Sequence, residues 1–404
     1  MKLFRKKPRA TKEEIAVERP TNPYYEAVSD RFGIAQIILF LTLLAFVSVS
    51  LLANTGLITY QNLYYFVKDL NASAENVDVL HTDSVSYAAD ASQSFTLYRQ
   101  GLAVAGNTSV TVFTASGRQT VGESIRYQNP TAVGSGKYLL VYEMGGTQYS
   151  LYNSYTQIHK GTTERAILGA AMSPSGCYAL ITSSQEHLSV VELFDSDFAR
   201  INRYGYPSYV TDVAINEKGT RLAVILSHIE QAAFVTEARF YEPGKTELSA
   251  SLRLGHGLGL SCCFTDGGEL AVLCTDGVYY SSLKGELNRT VHFEGAQLAG
   301  AELSPNGCAL LLKRDEKAPH GEAILLDRHG RELCREGMKE SVSAVSVSGD
   351  VMFLTCSDGV LRIRSDGSSE KLTCETEGKV LLAVDEGRVL LCSSKKADSL
   401  RFGY

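Results

Sequence analysis

The amino-acid sequence predicts an all-β protein: a β-propeller of eight blades, with seven as the alternative, preceded by one transmembrane α-helix. Two observations support this class. A strand–turn–strand unit recurs about every 40 residues after residue 76, and one long uncharged run lies near the N-terminus. The chain has 404 residues, 44% hydrophobic and 21% charged, which is enough for one large repeat domain and an appendage.

Residues 1–31 are predicted to form a basic cytoplasmic tail. They contain eight Lys and Arg against five Asp and Glu, and their first twelve residues, "MKLFRKKPRATK", have no acidic residue. Positive charge stays on the cytoplasmic side of a membrane, so the N-terminus is expected inside the cell.

Residues 32–54 are predicted to form the transmembrane helix. No charged residue occurs from Phe32 to Val67, and Ile34–Ala53 as a helix spans about 30 Å, the thickness of the hydrocarbon core. The run is longer than the apolar part of a signal peptide, and "LLAN" lacks a small residue at the −3 position of a cleavage site. We therefore expect an uncleaved anchor that contacts the lipid bilayer through Ile34–Ala53; a buried soluble helix is the alternative.

Residues 55–75 are predicted to form an aromatic juxtamembrane segment. In "LITYQNLYYFVKDL", Leu57, Tyr60, Tyr64 and Val67 follow helical spacing. Tyrosine and phenylalanine suit the membrane–water interface, although a stalk helix that continues the anchor fits equally well. This order of segments predicts a single-pass membrane protein, with residues 76–404 extracytoplasmic.

Two nearly identical phrases reveal the repeat. "SPSGCYALI" covers Ser173–Ile181 and "SPNGCALLL" covers Ser304–Leu312, each between two apolar stretches. Proline fixes φ and glycine permits positive φ, so Ser-Pro-x-Gly predicts a tight turn between two strands. The same arrangement recurs at gaps of 35–49 residues, with turn glycines at Gly101 (the weakest copy), Gly136, Gly176, Gly219, Gly268, Gly307, Gly349 and Gly387.

Each unit continues with a third strand and a second polar turn, for example "LSVVELFDSDF". Three or four short strands per 40 residues is the period of a propeller blade, whereas a helical solenoid needs apolar spacing of 3.6 residues. The chain ends after the third strand of the last unit. We expect "NVDVLHTD", Asn76–Asp83, to supply the missing outer strand, because a closed ring leaves no open outer edge.

These turns resemble those of bacterial propellers of the WD-repeat and quinoprotein-like type, in which S-P-D-G turns join the first two strands of a blade. Ser173–Gly176 and Ser304–Gly307 match that turn with Ser or Asn in place of Asp, and the Trp-Asp pair is absent because the chain has no Trp. The layout also resembles a bacterial family of membrane-anchored propellers with no established activity. The resemblance implies a propeller over residues 76–404 and carries over no catalytic residue.

The nine cysteines are predicted to be buried thiols, since most lie within apolar segments that read as strands. An odd number of cysteines without paired spacing is not a disulfide framework. Cys262 and Cys263 are the sharpest chemical candidate. Adjacent cysteines form a vicinal disulfide against the cofactor in quinone-dependent propellers, but those enzymes also stack the cofactor on Trp. We predict instead two strand residues that face opposite sides of a blade, and no cofactor.

No other motif predicts chemistry. His256 lies in a Gly-rich connection, His228 is isolated, and "DSDF" at Asp195–Phe198 lacks the remaining ligands of a calcium loop. The three glycosylation sequons at Asn71, Asn107 and Asn288 match by chance. We predict no catalytic, cofactor-binding or metal-binding residue.

Two excursions interrupt the regular spacing. Ser227–Glu237 and Lys313–Glu322 both follow the second strand of a unit, so both hairpins are expected on the same face of the ring, as partner-binding loops or as solvated tips. After residue 31 the chain has 31 Lys and Arg against 40 Asp and Glu, which argues against nucleic acid.

The predicted function is a non-catalytic platform that binds a protein or an envelope polymer through one propeller face. The alternatives are an enzyme with its active site in the channel and a sensor that signals through the N-terminal tail.

Overall fold

A computed structural model of the chain describes residues 23–53, 84–314 and 321–403. The chain divides into two compact units, Met1–Glu75 and Asn76–Tyr404. In the first unit, helix α1 spans Pro23–Ala53 and so begins inside the segment predicted to be the tail. The rest of that tail, residues 1–22, and the predicted juxtamembrane segment, residues 55–75, lie outside the described residues.

The described side chains of α1 between residues 31 and 48 are all exposed. Ile37, Ile38, Leu39, Phe40 and Leu41 occupy five consecutive positions and are each more than half exposed, so apolar groups cover every side of the helix. Within the part of the chain that the structure describes, no helix meets the combined length and hydropathy needed to cross a membrane.

The described residues of the second unit form 32 strands in eight antiparallel sheets of four. The first four sheets are β2 (Gln93–Tyr98), β3 (Gly101–Gly106), β4 (Ser109–Phe113) and β5 (Gln119–Ser124); β6 (Pro130–Gly134), β7 (Leu139–Glu143), β8 (Gln148–Tyr152) and β9 (Gln157–Thr162); β10 (Ile167–Met172), β11 (Tyr178–Ser183), β12 (Ser189–Phe194) and β13 (Arg200–Tyr206); and β14 (Tyr209–Ile215), β15 (Leu222–Glu230), β16 (Ala233–Tyr241) and β17 (Leu248–Arg253).

The other four sheets are β18 (Gly259–Phe264), β19 (Leu270–Cys274), β20 (Gly277–Ser281) and β21 (Leu287–His292); β22 (Gln297–Ser304), β23 (Gly307–Lys313), β24 (Glu322–Asp327) and β25 (Glu332–Gly337); β26 (Val342–Ser348), β27 (Val351–Cys356), β28 (Gly359–Arg364) and β29 (Ser369–Thr373); and β30 (Val380–Asp385), β31 (Arg388–Cys392), β32 (Lys396–Arg401) and β1 (Ser84–Ser86). Numbered in this order, they are blades one to eight.

The eight sheets form a closed ring, which confirms the predicted eight-bladed propeller. The first strand of each blade contacts the first strand of the next, and β30 of blade eight contacts β2 of blade one. The first strands therefore line the centre. In an antiparallel sheet of consecutive strands, the turns alternate between two ends. We call the side with the second-to-third-strand hairpins and the links between blades the connector face, and the opposite side the turn face.

Apolar side chains fill the space between neighbouring blades. The described residues form eight hydrophobic clusters, one at each blade–blade junction of the ring. In β19, Leu270, Val272 and Cys274 pack towards blade four, whereas Ala271 and Leu273 pack towards blade six. Alternate residues of a strand point to opposite faces, so a strand buried on both faces needs a continuous apolar run such as "LAVLC".

Both ends of the propeller chain meet in blade eight. Strand β1 pairs antiparallel with β32, joining Ser84 to Asp398, Val85 to Ala397 and Ser86 to Lys396. The predicted closure of the ring by an N-terminal outer strand is therefore correct. The strand that closes the ring begins at Ser84, directly after the predicted segment Asn76–Asp83, which lies outside the described residues.

The two similar turn phrases fold differently. Ser173–Gly176 makes a three-residue turn: the Gly176 N–H donates to the Ser173 carbonyl at 3.0 Å, and Gly176 has a φ of +96°. In the other phrase Ser304 pairs directly with Gly307 around a two-residue turn, and Gly307 has no positive φ. Glycine is needed there for space, because a Cβ would lie 2.6 Å from the Leu326 carbonyl oxygen.

Replacing Val85 by Asp is expected to open the ring. Val85 is 6% exposed and packs in the cluster between blades eight and one, so an aspartate there would bury an unpaired charge at a cost of several kcal/mol. We expect the melting temperature of the full chain in detergent to fall by several degrees. Ser86→Asp, at an exposed position of the same strand, is the control. Equal melting temperatures for Val85→Asp and the wild type would contradict closure by β1.

Candidate interaction face

The connector face carries most of the exposed apolar side chains of the propeller. Outside α1, the described residues include ten large hydrophobic side chains with high exposure. Two of them, Leu248 and Leu287, begin fourth strands and so lie on the turn face. The other eight lie on the connector face: Met144, Leu168, Leu188, Tyr209, Ile229, Phe234, Leu260 and Val380. All except Val380 belong to blades two to five.

A β-bulge marks the start of the first strand in five consecutive blades, three to seven. In each, the pairing with the second strand skips one residue near the connector face. A bulge leaves the extra residue outside the regular ladder and redirects its side chain. The skipped residues are Leu168, Thr211, Leu260, Ala299 and Ser343. Leucine thus occupies this position in blades three and five, where it is 43% and 40% exposed.

Hydrogen bonds fix the bulged strands to the preceding blade. The Gly145 N–H donates to the Ile167 carbonyl at 2.8 Å, and the Ile167 N–H donates to the Gly146 carbonyl at 2.7 Å. These bonds attach the start of blade three to the hairpin of blade two that carries Met144.

The start of blade four is attached to blade three in the same way. The Val210 N–H donates to Ser189 Oγ at 3.1 Å. Val210 directly follows Tyr209, and Ser189 directly follows Leu188. The exposed apolar residues on these two blades therefore sit on connected backbone.

A third bond set joins blades four and five. The Gly259 N–H donates to Thr236 Oγ1 at 2.9 Å, and the Thr236 hydroxyl donates to the Gly257 carbonyl at 2.7 Å. Leu260 follows Gly259 directly. The apolar residues of blades two to five consequently stand on a continuous bonded framework.

The excursion Ser227–Glu237 is a hairpin on the connector face, as predicted, and its extra length comes from extended strands. Strands β15 and β16 pair without interruption to Glu230 and Ala233, and Gln231 and Ala232 form the turn with φ of 50° and 65°. Two consecutive positive φ values are typical of the tightest hairpin turn, whose twist matches that of the strands. At the tip, Ile229 pairs across from Phe234, and the two are 69% and 45% exposed.

The second excursion, Lys313–Glu322, also lies on the connector face, as predicted; its residues 315–320 lie outside the described residues. A cavity of about 280 Å³ opens beside it between blades five and six. Its guanidinium groups are already paired, because Glu322 contacts Arg314 at 3.3 Å and Arg335 at 3.1 Å. Arg335 also pairs with Glu332, so its positive charge is already balanced by two carboxylates and does not favour an anion in this cavity.

Polar side chains connect the first strands around the centre. Asp212 accepts a hydrogen bond from the Cys262 N–H of the next blade at 2.8 Å, and Glu302 accepts one from Val347 N–H at 2.8 Å. Burial raises the pKa of Asp212 to about 6 and also raises the pKa of Glu302. These half-buried carboxylates act as acceptors for backbone N–H groups that the sheet leaves unpaired.

Asp212→Asn is expected to become more stable relative to the wild type as the pH rises. The pKa of Asp212 is about 6 in the folded chain against 3.8 ordinarily, so the folded state binds the proton more tightly. Asp212 therefore contributes about 3 kcal/mol to the free energy of unfolding of the wild type below pH 4, and this contribution is lost as the pH rises through about 6. The test is urea unfolding at pH 4 to 7, with Glu217→Gln at an exposed turn as the control. A difference between Asn and Asp that is constant with pH would contradict it.

Cys262 and Cys263 are free and face opposite sides of blade five, as predicted. Cys262 packs in the cluster with blade four, and Cys263 packs against the cluster with blade six. All nine cysteines are free. Burial raises the pKa of the Cys263 thiol to about 12, which keeps it protonated and poorly nucleophilic at neutral pH.

The remaining sequence candidates lie at surface or turn positions. His256 is exposed in the link between blades four and five, and His228 lies on the extended hairpin. In Asp195–Phe198 the Asp195 carboxylate accepts the N–H groups of Asp197 and Ala199, both at 2.9 Å, so it closes a turn. Among the residues that the structure describes, no three His, Cys, Asp or Glu residues group closely enough to hold a metal ion.

The asparagine side chains of the two described sequons make hydrogen bonds within the propeller. The Asn107 amide donates to the Tyr127 carbonyl at 2.9 Å and accepts the Ser92 N–H at 2.6 Å, and the Asn288 amide donates to Glu269. Asn71 lies outside the described residues. Sequence reasoning missed the exposed leucines at the bulges, because nothing in "ILGAAM" or "GLSCCF" indicates which residue leaves the ladder.

Eight four-stranded sheets in a closed ring define an eight-bladed β-propeller, and comparisons with solved structures agree. Sqt1 from Saccharomyces cerevisiae is similar with a TM-score of 0.58 and 10% identity, over 80% of this chain and 100% of that one. BamB from Moraxella catarrhalis is similar with a TM-score of 0.54 and 12% identity, over the same shares. At these identities the likeness shows the fold alone.

The chain belongs to the DUF5711 family, a family of unknown function whose model matches residues 71–402. No curated protein has a matching sequence.

Proposed function

We propose that this protein is a non-catalytic binding platform on the outer side of a bacterial cell membrane, where its connector face holds a protein partner. The observation that carries the proposal is the collection of exposed apolar side chains on that face in blades two to five. Propellers commonly bind partners through the loops of one face.

The distribution of these side chains supports binding. Exposed apolar residues scattered singly need no explanation, whereas their collection on one surface is typical of an interaction site. The extended hairpin adds a second argument. Its tip places Ile229 and Phe234 as a cross-strand pair beyond the length of the other strands, where they support no blade core. Large apolar side chains that fill a partner's pocket supply most of the binding energy at interfaces.

The membrane part of the proposal assigns residues 1–31 to the cytoplasm, Ile34–Ala53 to the bilayer and residues 76–404 to the outside. It is supported by the 20-residue uncharged run and by the basic residues ahead of it. The exposure of apolar side chains on every side of α1 adds support, because such a helix is stable in lipid and unfavourable in water.

The double variant Ile229→Ser, Phe234→Ser is expected to release the partner. A photoreactive residue in place of the exposed Gln231 should cross-link one discrete protein in intact membranes, and the double variant should reduce that product at least tenfold, because two apolar anchors are lost. Leu248→Ser, Leu287→Ser is the matched control, with two exposed leucines on the turn face. Equal loss in the control, or a product that survives the double variant, would contradict binding through the connector face.

The proposed topology has its own test. Alkaline phosphatase fused after Tyr404 is expected to be active, because the enzyme folds only after export, and the fusion should stay in the membrane pellet after alkaline carbonate washing. The same fusion without residues 32–54 should be inactive and soluble. Phosphatase activity from that deleted form, or none from the full chain, would disprove the assignment of sides.

A further inference from the structure

We propose that the partner presents a segment with apolar side chains flanked by Lys or Arg, and that the two bulge leucines, Leu168 and Leu260, are its main contacts. This inference rests on the proposed function, since it names the chemistry of what the connector face binds.

The same bulge occurs in five blades, so the residues that occupy it can be compared within one chain. Five blades place a residue there outside the ladder, and in blades four, six and seven that residue is Thr211, Ala299 or Ser343. Folding of the bulge therefore does not require leucine. Leu168 and Leu260 are partly exposed at the connector face, so their size is not needed to fill the core. An exposed leucine at two of five equivalent positions points to contact with another molecule.

The position of the two leucines suits recognition. Both are second residues of first strands, so they lie at the central rim of the connector face, in the blades on either side of blade four. Blade four carries Tyr209, which is 61% exposed, at the start of its own first strand. The bonds of Ile167 and Gly259 to the preceding blades hold the backbone next to each leucine. A surface held in its binding shape loses little conformational entropy on association.

Glutamates lie within four positions of three of these apolar residues, and their negative charge favours a positively charged partner. Glu143 precedes Met144, Glu164 lies four positions before Leu168, and Glu186 lies two positions before Leu188. None of these three carboxylates makes an ion pair with a described residue, and that of Glu143 accepts the Gln128 N–H at 2.9 Å.

The charge balance favours a basic partner. On the same face Arg126 lies in the link between blades one and two and Arg165 lies beside Glu164, so the three glutamates outnumber the arginines near these apolar residues. The chain after residue 31 has 40 acidic against 31 basic residues. Anionic lipid headgroups and a second copy of the same acidic face would both be repelled. A segment with Lys or Arg beside its apolar anchors complements the surface.

The test is a selection of 16-residue peptides from a random display library on the full-length protein in detergent micelles. We expect the enriched peptides to contain two or more large apolar residues and a net positive charge. Leu168→Ser, Leu260→Ser should weaken a selected peptide at least tenfold by calorimetry, whereas Ala299→Ser, at the same bulge of blade six, should leave affinity unchanged.

A second arm isolates the charge. Glu164→Lys, Glu186→Lys should weaken the same peptide several-fold at low salt and less at high salt, because exposed charges are screened. Glu217→Lys, an exposed residue on the turn face, is the control.

The outcomes separate the two proposals. Enriched peptides that are acidic or neutral, or that ignore both leucines yet depend on Ile229 and Phe234, would overturn this inference and leave the platform standing. Failure to enrich any peptide overturns it as well. Binding of phosphatidylglycerol vesicles that is lost in Leu168→Ser, Leu260→Ser would assign the face to lipid, and peptides that bind only the turn face would overturn both proposals.

Discussion

The burial of apolar side chains between neighbouring blades is the constraint on which the structure depends. A four-stranded sheet alone exposes two apolar faces, and only the next sheet on each side covers them. The ring must therefore close, since any missing blade would leave two clusters uncovered. Blade eight meets this demand with strand β1 from the far end of the chain, which places Val85 in the cluster shared with blade one.

Near the centre of the ring, the backbone polar groups of the first strands must find hydrogen-bond partners. First strands have one edge without a neighbouring strand, and their backbone N–H groups need acceptors. Short side chains serve in some blades, as where Ser94 accepts the Ala132 N–H and Ser346 accepts the Ala383 N–H. Asp212 and Glu302 serve in others, and their burial makes the ionised form costly. The raised pKa values thus follow from a structural role, and the pH dependence they cause needs no catalytic explanation.

The architecture could be predicted from the sequence because it depends on spacing. Turn glycines at a period near 40 residues indicate strands and blades whatever the turn type, so the copies at Gly176 and Gly307 both marked a hairpin although their backbones differ. The interaction face could not be predicted. Its leucines are exposed because the register slips by one residue, and register depends on the partner strand rather than on local composition.

The outermost strand of blade eight is the first strand of the propeller to be synthesised, and its partner β32 is the last. No earlier blade can seal the ring, so β32 must be made before β1 finds its place. Until then the most recently made blade carries an apolar face that no following blade covers, which is a hazard for aggregation with other chains. A nascent propeller therefore stays open to aggregation until Lys396–Arg401 has been made.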